Sequence, residues 1–455
     1  MPNAKTTTIQ INDKMGNFKI VVLLFLLLIN LKPLSAQWST VGTGTDQDVM
    51  TMAVYKSELY AGGHFLNAGG NSANRIAKWD GTNWSPLGVG MSGGSSEVLA
   101  LAVYNGELYA GGSFPSAGGI PSTICIAKWN DTTWSSVGNM IGNIYALAVY
   151  KSELYAGGDF TSANGIPASG IAKWNGTTWS SVGTGIMGGV IPVVVSLAIY
   201  NGELYAGGLF SSAGGSPASN IAKWNDTIWT AVGSGIDNGV IAMTDYNGEL
   251  YAGGSFSNAG GIPANNIAKW DGTNWSSVGA GADGEIDALG VFNSELYAGG
   301  FFGSAGGNVS PYIAKWNAIT WSSLGTNMNW TVQGFAVYNS ELYAGGYFTT
   351  APDSLPVNHI VKLISPNGIN ENLLNSTVNL FPNPLIDKAT LQFDNLKNEI
   401  CSLTFYNTQG QIVRIINNIN TDKVEIERQS LASGLYFFQL RTDRQIIATG
   451  KLTIE

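Results

Sequence analysis

The sequence predicts an all-β chain: a seven-bladed β-propeller whose last blade is closed by the N-terminal strand, followed by a small antiparallel β-sandwich. Three observations predict it. One string recurs at a near-fixed period, each period holds two hairpin signals, and the two ends of the array carry complementary fragments of the unit. Composition agrees: 59 of 455 residues are Gly and only 12% are charged, which argues against helical bundles and coiled coils. Two Cys exclude a disulfide scaffold and a multi-cysteine zinc or iron–sulfur site, and two His argue against a histidine-rich metal centre. The net charge of −9 opposes nucleic-acid and anionic-membrane binding.

In chain order, Ile20 to Leu31 form an apolar run of 12 residues preceded by Lys14 and Lys19. The run is too short for the roughly 20 residues of a membrane-spanning helix. It suits the core of a secretory signal peptide over residues 1–36, cut after Ala36, with Met15 as an alternative start. The mature chain is expected to leave the cytoplasm and to have no transmembrane segment. Cys125 and Cys401 fall in different domains, so no disulfide between them is expected.

The string ELYAGG begins at Glu58, Glu107, Glu153, Glu203, Glu249, Glu295 and Glu341, at intervals of 49, 46, 50, 46, 46 and 46. Before it stands an alternating run such as Leu99 to Tyr104, joined to it by Asn105-Gly106, a pair suited to a type I′ turn. Lys-Ser or Asn-Ser replaces that pair in four units, where the turn type stays open. The second hairpin is Ile-Ala-Lys-Trp, a short Asp- or Asn-containing turn, then Trp-Ser, as in Ile171 to Ser181. Two hairpins make strands a to d of one blade.

A Trp opens strand d at positions 38, 84, 134, 179, 229, 275 and 321. Trp38 has no strands a to c before it, and the last unit, ending His359 to Leu363, has no strand d after it. The N-terminal segment is therefore expected to supply the missing outer strand, leaving no open blade edge. The propeller, 37–365, carries about twice as many acids as bases, and seven of its bases are the Lys of Ile-Ala-Lys-Trp or its variant. Strand c returning beside strand b predicts a Glu–Lys pair in every blade.

These repeats resemble Kelch and galactose-oxidase-type propellers, through a Gly-Gly closing strand b, an aromatic on strand c and a Trp on strand d, as in Gly111-Gly112, Trp129 and Trp134. The variant with Ala-Gly-Gly and Ile-Ala-Lys-Trp is similar to the propeller of fungal cortical polarity markers and of many bacterial secreted proteins. The resemblance covers residues 38–363 and implies the fold, with little about function. The turn is shorter than in Kelch repeats.

The b–c loops are nearly uniform and read as structural. The d–a loops vary in length, and variable loops on a rigid scaffold are the expected binding surface. They hold Asp46, Asp48, Glu97, Tyr145, Asp237, Asp283, Glu285, Asp287 and Trp330. Carboxylates with a few aromatics suit a cation or a stacked sugar; ordinary solvated loops are the other reading. No cofactor and no metal site is expected. Copper oxidase chemistry of the galactose-oxidase kind implies a Tyr–Cys pair and two His ligands, whereas Cys125, His64 and His359 read here as local substitutions. Glycosidase chemistry needs two carboxylates roughly 5–10 Å apart, and only the loop Asp283 to Asp287 offers several acids together. Asp80-Gly-Thr-Asn-Trp84 and Asp271-Gly-Thr-Asn-Trp275 resemble sialidase Asp boxes without their upstream Ser, and read as turns, as do Asn130, Asn175 and Asn225.

After a polar linker, 366–377, composition changes: residues 378–455 hold 8 bases, 8 acids and no Trp. Strand-like runs at Thr390–Phe393, Leu403–Tyr406, Ile412–Ile416, Val424–Ile426, Leu435–Leu440 and Lys451–Ile454 suggest the sandwich. The segment closely resembles the type A sorting domain of the type IX secretion system. Matching residues are Leu380-Phe-Pro-Asn-Pro384, Tyr406 to Gln411, Ser433-Gly-Leu-Tyr436 and Gly450 to Glu455. The resemblance implies export from a Gram-negative cell: entry to the periplasm, passage across the outer membrane by the type IX machinery, then removal of the domain and release or surface attachment. Pro382, Asn383, Pro384, Gly410, Gly434, Tyr436, Gly450 and Lys451 carry the motif, either by keeping the fold or by meeting the machinery. The expected function is thus a secreted or surface binding module for a glycan or protein, with an exported carbohydrate-active enzyme as the alternative.

Overall fold

The computed structural model describes residues 37–189, 191–325, 328–364, 379–393, 400–407, 412–429, 431–442 and 446–455. The expected leader, the linker 366–377 and Gly410 lie outside the described residues. No helix among the described residues is long and apolar enough to cross a membrane.

Each unit folds as its alternation dictates. In the second, strand a (Glu97–Tyr104) turns into strand b (Glu107–Ser113), and strand c (Ile126–Trp129) into strand d (Trp134–Ser136). They form one antiparallel sheet in the order d-c-b-a, and seven such four-stranded sheets stand among the described residues up to Ile364. The a–b turn has φ 49° at Asn105 and 74° at Gly106. The turn left open by sequence takes the same left-handed course, with φ 47° at Lys56 and 60° at Ser57.

The double glycine sets how closely the sheets approach. A Cβ on Gly111 would lie 2.6 Å from Cγ2 of Ile144 in the next sheet, and one on Gly112 would lie 2.1 Å from the Glu97 carbonyl in its own strand a. Strand a bulges beside that second glycine, and the register shifts there. The contact recurs at Gly345, whose Cβ would meet Val49 of the first sheet at 2.6 Å. Strand a of each sheet packs on strand a of the next, and Val332–Tyr338 packs on Val49–Tyr55. A ring of four-stranded antiparallel sheets closed in this way is a β-propeller.

The core lies between the sheets. Trp129 and Trp134 sit 5.3 Å apart, centroid to centroid, and the strand-d indole donates to the carbonyl that follows the preceding strand d: Trp134 Nε1 to Leu87 O at 2.9 Å. The N-terminal strand Gln37–Thr40 pairs antiparallel with Ile360–Ile364, Trp38 opposite Leu363. Trp38 Nε1 donates to Leu324 O at 3.2 Å, and Trp84 Nε1 to Val41 O at 2.9 Å, so the first segment takes strand d's place on both sides. The expected Glu–Lys pairs form in all seven sheets, from Lys78–Glu58 at 2.8 Å to Lys362–Glu341 at 2.8 Å. Half-exposed cross-strand pairs of this kind stabilise by about 0.2–1 kcal/mol each.

In the C-terminal region, Asn379–Phe381, Lys388–Gln392 and Lys423–Glu427 form one sheet; Cys401–Tyr406, Ile412–Ile419, Gly434–Arg441 and Ile446–Ile454 form another. Leu391 and Ile426 of the first share one core with Leu403, Phe405, Phe438 and Leu440 of the second.

Candidate functional site

The bulge that the double glycine creates places three residues of each sheet at one end of strands a and b. One follows the Gly-Gly, one opposes it on strand a, and one is the bulged residue skipped by the ladder. In the first sheet these are His64, Asp48 and Met50; in the second Ser113, Glu97 and Leu99; in the third Asp159, Asn143 and Tyr145. The fourth has Leu209, Val193 and Val195, and the fifth Ser255, Gly239 and Ile241. The sixth has Phe301, Glu285 and Asp287, and the seventh Tyr347, Thr331 and Gln333. The repeat holds ELYAGG constant and changes at the very next residue. The resulting rim is aliphatic on the fourth sheet, uncharged on the fifth, and carries a charged, aromatic or amide side chain on each of the others.

On the first and second sheets, His64 Nδ1 meets the Asp48 carboxylate and its Nε2 lies 2.5 Å from Glu97 Oε2. Hydrogen bonds to Asp48 and then Glu97 push the imidazole up to about 10, so it is an imidazolium at neutral pH. Across the third sheet, Tyr145 Oη donates to Asp159 Oδ2 at 3.1 Å, and burial raises the phenol above its ordinary value. Among the described residues no group of His, Cys, Asp and Glu is placed to hold a metal ion.

On the sixth and seventh sheets, Gln333 Nε2 donates to Asp287 Oδ2 at 2.7 Å. Burial first and the Glu285 charge second push the Asp287 carboxyl up to about 7, against the pull of the Gln333 hydrogen bond. Tyr347, on the sheet between the sixth and the first, is raised by burial first and then by the charges of Asp48, Glu97 and Asp287. Beside them Phe301, Tyr312 and Trp330 form an aromatic cluster with centroids 5.9–6.1 Å apart.

The sequence-predicted residues divide into two groups. Asp46, Asp237 and Asp283 turn onto the b–c loop of their own sheet: Asp46 Oδ1 accepts from the amides of Leu66 and Asn67 at 2.8 and 2.9 Å, and Asp283 Oδ1 from those of Gly303 and Ser304 at 2.8 Å. Burial alone would raise these three carboxyls, but the hydrogen bonds outweigh it and hold them low. Asn329 does the same to Thr349 and Thr350, so this position is a scaffold clamp. Asp48, Glu97, Tyr145, Glu285 and Asp287 are gathered on the rim, with Trp330 beside it. Sequence reading set His64 aside and missed Asp159, Phe301, Tyr312, Gln333 and Tyr347. The variation after the invariant Gly-Gly was the signal that marks most of them.

In the C-terminal region, Asn383 ties its turn to the last strand: Thr453 N donates to its Oδ1 at 2.9 Å, and its Nδ2 donates to Lys451 O at 3.0 Å. Tyr436 is buried, its hydroxyl on Ala432 O at 2.9 Å, and a Cβ on Gly450 would lie 2.5 Å from Phe438. Gly434, at φ 149°, takes a course open to glycine. Pro382, Pro384 and Lys451 are exposed.

Residues 379–455 match the secretion system C-terminal sorting domain. That domain marks the chain for export by type IX secretion, to the cell surface or the medium. No curated protein matches the chain. Among solved structures, the extracellular domain of a hybrid two-component system from B. thetaiotaomicron is 10% identical with a TM-score of 0.46. The alignment covers 92% of this chain, which spans 57% of that protein. The β-propeller domain of the Trilobed protease from Pyrococcus furiosus is 9% identical over 70% of this chain and 95% of that one, with a TM-score of 0.42. A GH43_1 enzyme from Xanthomonas citri, solved with xylose, is 11% identical over 72% and 90%, with a TM-score of 0.28.

Proposed function

We propose that this chain is a non-catalytic binding protein: a Kelch-like, seven-bladed propeller exported by type IX secretion, which holds its ligand at the rim formed by the ends of strands a and b. A signal peptide over residues 1–36 starts the journey, and the C-terminal sandwich completes it. One observation carries the reading. Repeats that keep their core, turns and ion pairs diverge at the rim positions, and side chains from different sheets meet there in His64–Glu97 and Gln333–Asp287. Rigid scaffolds with local divergence bind through the divergent part. The test is a screen of the purified protein against glycans and peptides, followed by turnover assays on every hit. Saturable binding without turnover is expected. It should be lost when Glu97, Asp287 and Trp330 are replaced together by Gln, Asn and Ala, and kept when Glu58, in the repeated ion pair, becomes Gln.

One observation favours an exported carbohydrate-active enzyme instead. Asp287, held at about 7 beside Glu285, is a proton donor suited to neutral pH. Turnover that disappears in Asp287→Asn would establish that reading and displace the first.

A further inference from the structure

Thirteen of the 14 Trp occupy repeat positions and are buried between sheets; Trp330 follows no repeat and is 48% exposed. Phe301 stands where other sheets carry His64, Ser113, Asp159, Leu209, Ser255 and Tyr347, and it is 54% exposed. Tyr312 stands where they carry Arg75, Cys125, Gly170, Asn220, Asn266 and His359. Three departures from the repeat, at three different positions in the unit, thus converge on one spot and are all aromatic. Aromatic rings left half in water expose apolar area that a ligand can cover.

We propose that Trp330 and Phe301, backed by Tyr312, form a platform for the apolar face of a neutral sugar ring, with Asp287, Gln333 and Glu285 taking its hydroxyls. This deepens the rim reading and rests on it. The ring spacing favours a platform over a cage for a quaternary ammonium. Centroids about 6 Å apart put their common centre about 3.5 Å from each ring (6/√3), which is too tight for a methylated cation between them. The rings instead touch one another at an angle, Phe301 standing 64° from the Trp330 plane and Tyr312 32° from it, so the exposed indole offers the stacking face and Phe301 a wall at its side. The polar side fits hydroxyls. Gln333 spends its amide N–H on Asp287 Oδ2 and Thr331 Oγ1, at 2.7 and 3.2 Å. Among the described residues Gln333 Oε1 and Asp287 Oδ1 take part in no hydrogen bond, which leaves both as acceptors on the rim of the sixth and seventh sheets. Acidic neighbours, Glu285 above all, repel sulfated or uronate chains and select a neutral glycan.

The test uses the purified full chain and a panel of neutral oligosaccharides (β-glucan, mannan and xylan fragments), with uronate oligomers and unrelated peptides as competitors. The readouts are calorimetry and acrylamide quenching of Trp fluorescence, since Trp330 is the accessible indole. A neutral oligosaccharide should bind saturably and shield the quenchable fluorescence. Trp330→Ala and Phe301→Ala should each weaken binding at least tenfold with the melting temperature unchanged, and Asp287→Asn several-fold. The platform is overturned if no neutral oligosaccharide binds, if binding survives both aromatic substitutions, or if only peptides compete at Trp330. Glycan binding that survives at Trp330 but falls with Glu97→Gln would overturn the platform and leave the rim reading standing.

Discussion

At the scale of single residues, His64 and Asp287 show opposite couplings between charge and stability. His64 is raised from 6.5 to about 10 by Asp48 and Glu97. A raised base stabilises the folded chain fully below its unfolded value, and that contribution is lost as pH rises from 6.5 through about 10. His64→Gln should therefore cost about 1–3 kcal/mol at pH 6, discounted for partial exposure, and little at pH 10.5. Denaturant titrations of both proteins across that range measure it; a pH-independent difference would refute the clamp. Asp287 is an acid raised from 3.8 to about 7, so the folded chain pays for its ionisation as pH climbs between those values. Asp287→Asn is expected to leave stability unchanged near pH 3.5 and to raise it by about 1–2 kcal/mol at pH 8. Stability lost at a rim position points to function, because the scaffold itself gains nothing there.

At the scale of elements, the repeat was legible because its physics is local. A period of two on each strand, Asn-Gly turns, and a Trp at each strand d need no knowledge of distant neighbours. The Lys-Ser turns were open because their left-handed backbone is imposed by the flanking ladders, at a cost of about 1 kcal/mol per non-glycine residue. Ser57→Gly, Ser152→Gly, Ser294→Gly and Ser340→Gly, all at φ near 60°, should together raise the melting temperature by several degrees, since the carbonyls that accept the neighbouring tyrosines are kept. The rim was legible in part. Acids in or just before strand a break its apolar alternation, so Asp48, Glu97 and Asp287 stood out in the sequence. Phe301 and Tyr312 sit 11 residues apart and meet Trp330 only after the loops fold back. The two glycines likewise differ in a way the letters hide. Gly112→Ala drives a methyl into a backbone carbonyl, and should cost about 3 kcal/mol or more; Gly111→Ala meets Cγ2 of Ile144, a branch that Ile144→Ala removes, so Gly111→Ala with Ile144→Ala should lose less than the two single changes summed. Thermal melts of these variants and of Ile144→Ala alone decide it: equal losses for both glycines, or strictly additive losses in the double variant, would overturn the assignment.

At the scale of the whole molecule, the ring closes through the one sheet whose outer strand is not covalently continuous with its neighbour. Closing a loop of some 320 residues costs about 5 kcal/mol by logarithmic scaling. Burial of Trp38, 7% exposed, returns about 4–6 kcal/mol as an upper bound, so the four-residue ladder and Val41 decide the margin. In every other sheet a short c–d turn holds strand d nearby, and loss of its Trp leaves only a cavity. The same truncation should therefore act differently by position. Trp38→Ala and Trp229→Ala each remove an indole of similar burial and should lower the melting temperature by comparable amounts. Only Trp38→Ala should let the ring open locally, which hydrogen exchange reads as faster exchange confined to Val49–Gly63 and Val332–Gly346. Deleting residues 37–42 should go further and abolish the cooperative transition. If Trp38→Ala and Trp229→Ala exchange alike across those strands, the N-terminal strand adds burial but does not latch the ring.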